Sequence, residues 1–412
     1  MNNTATKHRR ILGTVFLASM AMAFSEAAAA PPVEWERTFG GASGDTGYCV
    51  RPTPDGGYVV VGHTDSFSST APLGANAYLI KLDNDGHEQW ANVLGESTEL
   101  GAIVTGRSVV QTPDGGYIIA GMSMDPHAGY DVCLIRADVG GNQLWQRLYG
   151  LDPGEPYMEM GESIAPTTDG GFVIAGHGQP PTTASMQVYL VKTNSSGTLQ
   201  WLRHFGGADN DEGYCVRQTS DGGYIVAGLT GSFGAGNDDL YLIKTDSSGT
   251  LQWETTFGGS IQDRGRSVLQ TPDGGYLVAG MTNSINWPAI EVYLVKTDSS
   301  GTLQWQKTFA GGRDAYCIQP TSDGGYIVAG FAYVSGHGDD VYLLKTDSDG
   351  VKEWETTVGG TADDRAYCVV QTPDGGFLVV GQTQSFGAGS VDVYLVKLAP
   401  RALAAGPWSL YE

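Results

Sequence analysis

A repeated unit constrains the fold of this sequence more than any other feature. An Asp-Gly-Gly triplet occurs seven times at intervals of 50 to 59 residues, and a tryptophan recurs at intervals of 49 to 56 residues. The triplets begin at Asp55, Asp114, Asp169, Asp221, Asp273, Asp323 and Asp374, and the tryptophans are Trp35, Trp90, Trp145, Trp201, Trp253, Trp305 and Trp354. A repeat of this length that holds several short strands is typical of a propeller or a solenoid.

Each unit reads as four short strands separated by turns. Residues 224–227 and 240–243 are apolar on both faces of a strand, so the sheet that they form must be covered on both sides. The Asp-Gly-Gly triplet and residues 245–249, Thr-Asp-Ser-Ser-Gly, have the composition of hairpin turns. Seven such units predict an all-β fold, a seven-bladed β-propeller of four-stranded antiparallel blades. A parallel β-helix is the alternative, although its coils are usually shorter.

The order of the strands predicts how the ring closes. The first tryptophan segment, residues 33–39, has no preceding strands, and the last unit, residues 364–397, lacks its fourth strand. We therefore expect a propeller over residues 31–398, in which the N-terminal strand at 33–39 completes the last blade and closes the ring. Residues 399–412 carry no repeat and are expected to form a C-terminal tail.

Residues 1–29 have the pattern of a secretory signal peptide. Lys7, Arg9 and Arg10 precede an apolar run at residues 11–24, and alanines follow it at the expected cleavage site. The run is too short to span a bilayer, and no later apolar stretch is long enough to do so. The sequence therefore predicts a secreted protein, extracellular or periplasmic.

The acidic composition excludes some classes of partner. The chain has 45 acidic and 23 basic residues, which give a formal net charge of −22. Such a charge argues against nucleic acid and against anionic membranes. We expect a monomer whose partner is an unknown extracellular protein or glycan, and no cofactor, since the sequence contains no phosphate loop and no haem motif.

Four of the five cysteines share one repeat position. They are Cys49, Cys215, Cys317 and Cys368, and serines fill the same position at Ser108, Ser163 and Ser267. Small residues at this position predict a crowded strand close to the propeller axis. An odd number of cysteines at equivalent positions does not suggest a disulfide framework, so buried free thiols are expected.

Two segments carry a resemblance to known propellers. Residues 240–253, LYLIKTDSSGTLQW, resemble the strand-turn-tryptophan repeat of pyrroloquinoline-quinone-type propellers. Residues 221–228, DGGYIVAG, are still more similar to the repeats of secreted bacterial and archaeal propeller proteins. The resemblance covers residues 35–397 and implies that the first strand of each unit is innermost and the tryptophan strand outermost. The adjacent cysteine pair of the quinone enzymes is missing, so the resemblance does not extend to their dehydrogenase activity.

The candidate ligand-binding residues lie in loops that are expected to share one face. Aspartates recur in the loops that join blades, and arginines lie beside them. The residues are Asp45, Asp211, Asp263, Asp314, Asp364, Arg264, Arg313 and Arg365. Two interpretations stay open: each aspartate caps backbone N–H groups of its own loop, or the carboxylates form a ring that binds a cation, a sugar or a basic peptide.

Irregular loops add Glu159 and Trp287 to the candidates. Glu159 ends an enlarged loop between two blades, and Trp287 lies in an irregular loop between a second and a third strand. An exposed tryptophan is unfavourable unless it binds a ligand or packs on a neighbour. The Lys or Arg that ends every third strand is instead expected to form an architectural pair with a nearby aspartate. The acidic turns at residues 83–86 and 347–350 lack the full calcium-loop pattern, so no metal site is predicted.

A secreted binding or interaction module that acts through loops on one face is the first functional hypothesis. The alternative is an enzyme that acts on extracellular saccharides with paired carboxylates, such as Glu159 and Asp211. A structural array within an envelope assembly is the third. The sequence contains no nucleophile elbow and no HExxH motif, so no catalytic residue is predicted and a binding role is favoured over an enzyme.

Overall fold

The computed structural model describes residues 29–67, 75–95, 103–125, 129–150, 158–180 and 183–400 of the 412-residue chain. The predicted signal peptide, apart from its last residue, and most of the predicted tail lie outside the described residues. Over the described ranges, no helix has the length and apolar character needed to cross a membrane.

The described chain folds into seven four-stranded antiparallel sheets, which are the blades of a β-propeller. Blades 1 to 3 contain β2 (Asp45–Pro52), β3 (Tyr58–Thr64), β4 (Asn76–Leu82), β5 (Glu88–Leu94), β6 (Ile103–Gln111), β7 (Tyr117–Asp125), β8 (Gly129–Ala137), β9 (Gln143–Tyr149), β10 (Glu159–Pro166), β11 (Phe172–Gly178), β12 (Gln187–Thr193) and β13 (Leu199–Phe205). Blades 4 and 5 contain β14 (Asp211–Gln218), β15 (Tyr224–Thr230), β16 (Asp239–Thr245), β17 (Leu251–Phe257), β18 (Asp263–Gln270), β19 (Tyr276–Thr282), β20 (Glu291–Thr297) and β21 (Leu303–Phe309). Blade 6 contains β22 (Asp314–Pro320), β23 (Tyr326–Val334), β24 (Gly338–Thr346) and β25 (Lys352–Val358), and blade 7 contains β26 (Asp364–Gln371), β27 (Phe377–Thr383), β28 (Asp392–Leu398) and β1 (Val33–Phe39).

The N-terminal strand closes the ring, as the strand order predicts. β1 pairs antiparallel with β28, and the strand order of blade 7 is β1-β28-β27-β26. The Lys397 ammonium lies 3.1 Å from the Glu34 carboxylate, and the Tyr394 hydroxyl donates to Glu36 at 2.6 Å. The two ends of the described chain therefore hold one sheet together.

The first strands are innermost. Each of them contacts the first strands of both neighbouring blades, so together they surround the propeller axis. The second and third strands are buried along nearly their whole length, whereas the fourth strands are half exposed. This gradient explains the sequence pattern, because the middle strands have neighbouring blades on both faces, whereas the fourth strands lie at the outer edge.

Each Asp-Gly-Gly turn is held by the basic residue of its own third strand. In blade 4 the Lys244 Nζ lies 2.8 Å from the Asp221 carboxylate and also donates to the Thr245 carbonyl. The equivalent pairs occur in all seven blades: Lys81–Asp55, Arg136–Asp114, Lys192–Asp169, Lys296–Asp273, Lys345–Asp323 and Lys397–Asp374. The predicted architectural role of these basic residues is confirmed.

The repeated tryptophan joins each blade to the next. Trp253 of β17 packs on Tyr276 of β19, with the ring centroids 5.7 Å apart. A Cβ on Gly301, in the turn between β20 and β21, would come within 2.8 Å of the same indole. The glycine therefore leaves room for the tryptophan of the preceding blade, which explains why the two residue types recur together.

Candidate functional site: the central channel

Every first strand carries a β-bulge at the same place. In blade 1, Gly47 pairs with Gly62 and Cys49 with Val61, so Tyr48 is an extra residue without a partner on β3. The same register shift occurs in the other six blades. A Cβ on Gly62 would meet the Thr46 carbonyl oxygen at 1.8 Å, so this close approach requires glycine. A bulge of this kind redirects one side chain away from the sheet.

The seven bulge residues surround a cavity of about 350 Å³ on the propeller axis. They are Tyr48, Arg107, Glu162, Tyr214, Arg266, Tyr316 and Tyr367, one from each blade. We call these residues the channel ring. Four tyrosines, two arginines and one glutamate give the ring aromatic faces and a net positive charge.

Arg107 lies between an aromatic ring and a carboxylate. Its guanidinium carbon lies 4.2 Å from the centroid of the Tyr48 ring, and its Nε lies 3.9 Å from the Glu162 carboxylate. The distance to Glu162 is too long for a strong hydrogen bond. Arg107 therefore keeps N–H donors that a ligand in the cavity can use.

Arg266 is held more tightly. Its Nε lies 3.3 Å from the carboxylate of Asp314, and its guanidinium stacks on Tyr214 at 4.4 Å and on Tyr316 at 5.1 Å. Asp314 is buried, and burial raises the pKa of its carboxyl while Arg266 opposes that shift. This pair fixes the orientation of the arginine in the ring.

Three of the ring tyrosines form a connected aromatic wall. Tyr367 lies between Tyr48 and Tyr316, with ring centroids 5.3 and 5.1 Å away. Burial raises the pKa of all four ring tyrosines, including Tyr214. Their hydroxyls are therefore neutral at physiological pH and can donate hydrogen bonds.

A narrower part of the channel, with a volume of about 90 Å³, adjoins the ring. Its walls contain the cysteines and serines that share one repeat position, and beyond them Arg51, Arg217 and Gln319. The lining of the cavity and this narrower part contains four arginines and one glutamate. The channel is thus positively charged in a chain whose formal net charge is −22.

The predicted aspartates of the blade-joining loops do not line the cavity. Asp45 is fully buried, and its Oδ2 accepts hydrogen bonds from the Gly41 N–H at 2.8 Å and the Ser66 hydroxyl at 2.6 Å. The same two types of contact bind Asp211, Asp263 and Asp364. These contacts match the capping interpretation, because each carboxylate joins a blade-joining loop to the loop after the second strand.

A second acidic residue meets the capping aspartate at several blade junctions. A Cβ on Gly258 would lie 2.4 Å from Asp263 Oδ2 and 2.5 Å from Asp239 Oδ1, so the two carboxylates face the same glycine. Burial, with the charge of Asp263 adding to it, raises the pKa of Asp239. The pairs Asp45–Asp392 and Asp364–Asp340 are arranged in the same way. At the junction of blades 3 and 4 the neutral Gln187 takes the place of the second acid, with its Nε2 3.5 Å from Asp211.

The predicted arginines form ion pairs near the channel ring. Arg264 lies 3.1 Å from Asp238, and Arg365 lies 2.6 Å from Asp339. Arg313 is 3.9 Å from the same Asp339 and stacks on the half-exposed ring of Tyr333. These arginines are partly exposed, but nearby carboxylates balance their charge.

Glu159 and Trp287 have opposite environments. Glu159 is buried, and its carboxylate lies beside Asp131 near Gly150. Trp287 is 66% exposed, and Ile285 and Ile290 in the same loop are also exposed. Of these two predicted candidates, only Trp287 is available to a ligand at the surface.

One cluster could in principle hold a metal ion. Among the described residues, Asp83, Asp85 and His87 offer ligand atoms within 4.8 Å of one another. Asp83 Oδ1 accepts the backbone N–H groups of Asp85 and His87 at 2.9 and 2.8 Å. These are the contacts of a tight turn, so the cluster has a structural explanation without an ion.

The channel ring itself was not predicted from the sequence. A signal was present in the first strand of each unit. A small residue, Gly or Ala, precedes a position that varies among Tyr, Arg and Glu, and Cys or Ser follows it. Other positions of the strand also vary, for example the one occupied by Arg51, Val110 and Ala165, so variation alone does not single out the ring. Variation at one position of a regular repeat indicates a position that the architecture leaves free.

No family model matches the chain. The regulatory protein FlaEY of Caulobacter vibrioides is 28% identical over 184 residues, which cover 42% of this chain and 17% of that protein. The chain therefore spans only a small part of the length of this curated relative.

Solved structures with a similar fold have very different sequences. The WD40 domain of Neurospora crassa Pan2 has a TM-score of 0.53 at 11% identity, over 87% of this chain and 90% of that chain. A puromycin hydrolase has a TM-score of 0.54 at 14% identity, over 90% of this chain and 55% of that chain. A fungal alcohol oxidase in complex with copper has a TM-score of 0.50 at 11% identity, over 90% and 76%. At these identities the similarity shows the propeller fold alone.

Proposed function

We propose that this chain is a secreted binding module that holds an anionic group of its ligand in the central channel. The proposal includes the resemblance to secreted propellers with DGGYIVAG-type repeats and the export that the N-terminal segment predicts. The ligand is an extracellular glycan or protein that carries a carboxylate, a phosphate or a sulfate.

The charge of the channel carries this proposal. Four arginines and one glutamate line it, although acidic residues outnumber basic ones by 45 to 23 in the whole chain. A concave site with one sign of charge and low-dielectric walls concentrates ions of the opposite sign. Arginine also matches the planar geometry of carboxylate and phosphate groups.

The aromatic wall and the rim suggest how the rest of the ligand is held. The tyrosines of the channel ring offer flat faces and hydroxyl donors to a sugar ring or a planar group. Trp287 and Tyr333, which are 66% and 56% exposed, would extend the contact over the adjacent loops. Binding through loops on one face is thus compatible with an anchor in the channel.

The geometry favours binding over saccharide hydrolysis. Glycosidases of the usual kind use two carboxylates that flank the scissile bond. Glu162 is the one carboxylate among the described residues that line the channel. The predicted acid pair, Glu159 and Asp211, is buried in the blade junctions and does not contribute to that lining.

The test replaces one ring arginine. Arg107→Gln should weaken the binding of an anionic ligand about tenfold or more, because a charge-assisted hydrogen bond contributes roughly 1.5–3 kcal/mol. Arg107 is preferred to Arg266, whose loss would leave Asp314 buried without its partner. Arg203→Gln is the matched control, since Arg203 stacks on Trp201 on an outermost strand far from the channel lining.

Calorimetric titration with a panel of probes distinguishes the sources of the anion. The panel contains uronic-acid oligosaccharides, sulfated oligosaccharides, acidic peptides and inorganic phosphate, each with a neutral counterpart. We expect an anionic probe to bind, to bind more weakly at high salt, and to lose affinity in Arg107→Gln but not in Arg203→Gln. Equal binding of the neutral counterparts, or equal effects of the two substitutions, would contradict the proposal.

A further inference from the structure

Four thiols line the narrow part of the channel beside the ring. Cys49, Cys215, Cys317 and Cys368 are each 5 or 6% exposed, and all five cysteines of the chain are free. The fifth, Cys133, is 1% exposed and does not belong to the channel lining. A small ion that enters the channel can therefore reach four thiols and not the fifth.

Three of these thiols are neighbours around the axis, because blades 6, 7 and 1 are consecutive. The Sγ atoms of Cys317 and Cys368 are 3.8 Å apart. On its other side, Cys368 donates a hydrogen bond to the carbonyl of Val50, the residue next to Cys49, at 3.7 Å. Cys215 lies instead between blades whose equivalent residues are Ser163 and Ser267, so it has no thiol on either side.

A hydrogen-bond donor and a cation lie close to the sulfur of Cys317. The Gln319 Nε2 donates to Cys317 Sγ at 3.7 Å, and Arg51 lines the same part of the channel. A thiolate is the form of cysteine that binds metals.

We propose that Cys317 and Cys368, with Cys49 beside them, form a binding site for a soft monovalent cation of the Cu(I) type. Thiolates select such ions over harder cations. At a metal–sulfur distance of about 2.3 Å, as in zinc thiolates, two sulfurs on opposite sides of an ion are about 4.6 Å apart. The two Sγ atoms need to separate by less than about 1 Å from their present distance to reach this geometry.

Charge balance supports a monovalent ion. Each of the two thiols releases its proton to water in the channel, and two thiolates with one monovalent cation carry a net charge of −1. The guanidinium of Arg51 offsets this charge. A structural zinc site needs four strong ligands in tetrahedral arrangement. Here the described lining offers three adjacent thiols whose other neighbours are serine hydroxyls.

The repeat supplies matched variants for the test. Serine occupies the equivalent position in three blades, so Cys317→Ser and Cys368→Ser place a residue that the architecture already accepts. Cys215→Ser makes the same change in a blade whose thiol has no thiol neighbour. The reduced protein is titrated without oxygen against Cu(I) held by a chromophoric chelator, and the metal transferred is measured from the loss of colour.

We expect the unsubstituted protein and Cys215→Ser to remove one equivalent of Cu(I) with the same affinity. Cys317→Ser and Cys368→Ser should each bind at least tenfold more weakly, and the melting temperature should rise with Cu(I) only where binding is retained. The proposal is overturned if no variant or parent protein takes up Cu(I), or if Cys215→Ser weakens binding as much as Cys317→Ser.

Discussion

Replacement of Trp253 by alanine should destabilise the propeller more than any surface substitution, because Trp253 joins blade 4 to blade 5. Its indole packs on Tyr276 and covers Gly301, both of which belong to the next blade. An indole that buries roughly 150 Å² contributes about 4 kcal/mol at about 25 cal/mol per Å². The tilted aromatic pair adds about 0.5–1.5 kcal/mol. Allowing for a compact unfolded chain, the expected loss is about 3–5 kcal/mol.

Trp287 provides the matched control in the same protein. Its side chain is 66% exposed, so Trp287→Ala should cost less than about 1 kcal/mol. Guanidinium titration followed by far-ultraviolet circular dichroism measures both losses, provided that the slope of the transition is unchanged. Equal losses in the two variants would refute the assignment of the repeated tryptophan as the contact between blades.

Three further predictions concern pH and ring closure. Stability should fall as the pH drops from about 4 to about 2, since the hydrogen bond from Lys296 holds the folded-state pKa of Asp273 at about 2, below its ordinary value of 3.8. The ion pair stabilises the fold above the pKa of Asp273 in the unfolded chain, and this stabilisation is lost as the pH falls through its pKa in the folded protein. A denaturation midpoint that stays constant across this pH range would contradict the prediction. Asp239→Asn should raise the melting temperature at pH 7, because burial beside Asp263 raises the pKa of Asp239 and disfavours its charge. The gain should shrink at acid pH, and a lower melting temperature at pH 7 would count against the argument. Deletion of residues 31–40 should expose the edge of β28 and cause aggregation. In the intact protein, the amides of β1 should be protected from hydrogen exchange together with those of β28. Fast exchange confined to β1 would argue against closure.

The fold could be predicted from the sequence because its determinants are local and repeated. The turn residues, the two doubly apolar strands and the tryptophan all follow from contacts that every blade makes in the same way. The closing strand could also be predicted, since the chain starts with a fourth strand and ends with a third. Even the pairing of Lys244 with Asp221 is a repeated contact, and repetition indicated its architectural role.

The same reasoning explains why the aspartates were uncertain candidates. Asp45 and its equivalents recur because each joins two loops within a junction, and a residue required by every blade is informative about architecture. Their arrangement in pairs with Asp392, Asp239 and Asp340 could not be predicted, because it depends on contacts between neighbouring blades. The sequence spacing of the two acids gives no indication that they face one glycine.

The channel ring was missed for a physical reason that applies to other repeat proteins. A β-bulge places one residue per blade outside the regular alternation of side chains along the strand. The alternating pattern therefore does not predict whether that residue faces a neighbouring blade or the channel. Its identity is then free to differ between blades, as Tyr48, Arg107 and Glu162 do, while the flanking Gly and Cys or Ser stay small to fit the axis. In a closed ring these free positions converge on one cavity, and their differences break the sevenfold symmetry of the scaffold. A ligand that is not itself symmetric can be recognised only by such differences, so the varying positions that face the channel are where binding specificity is expected.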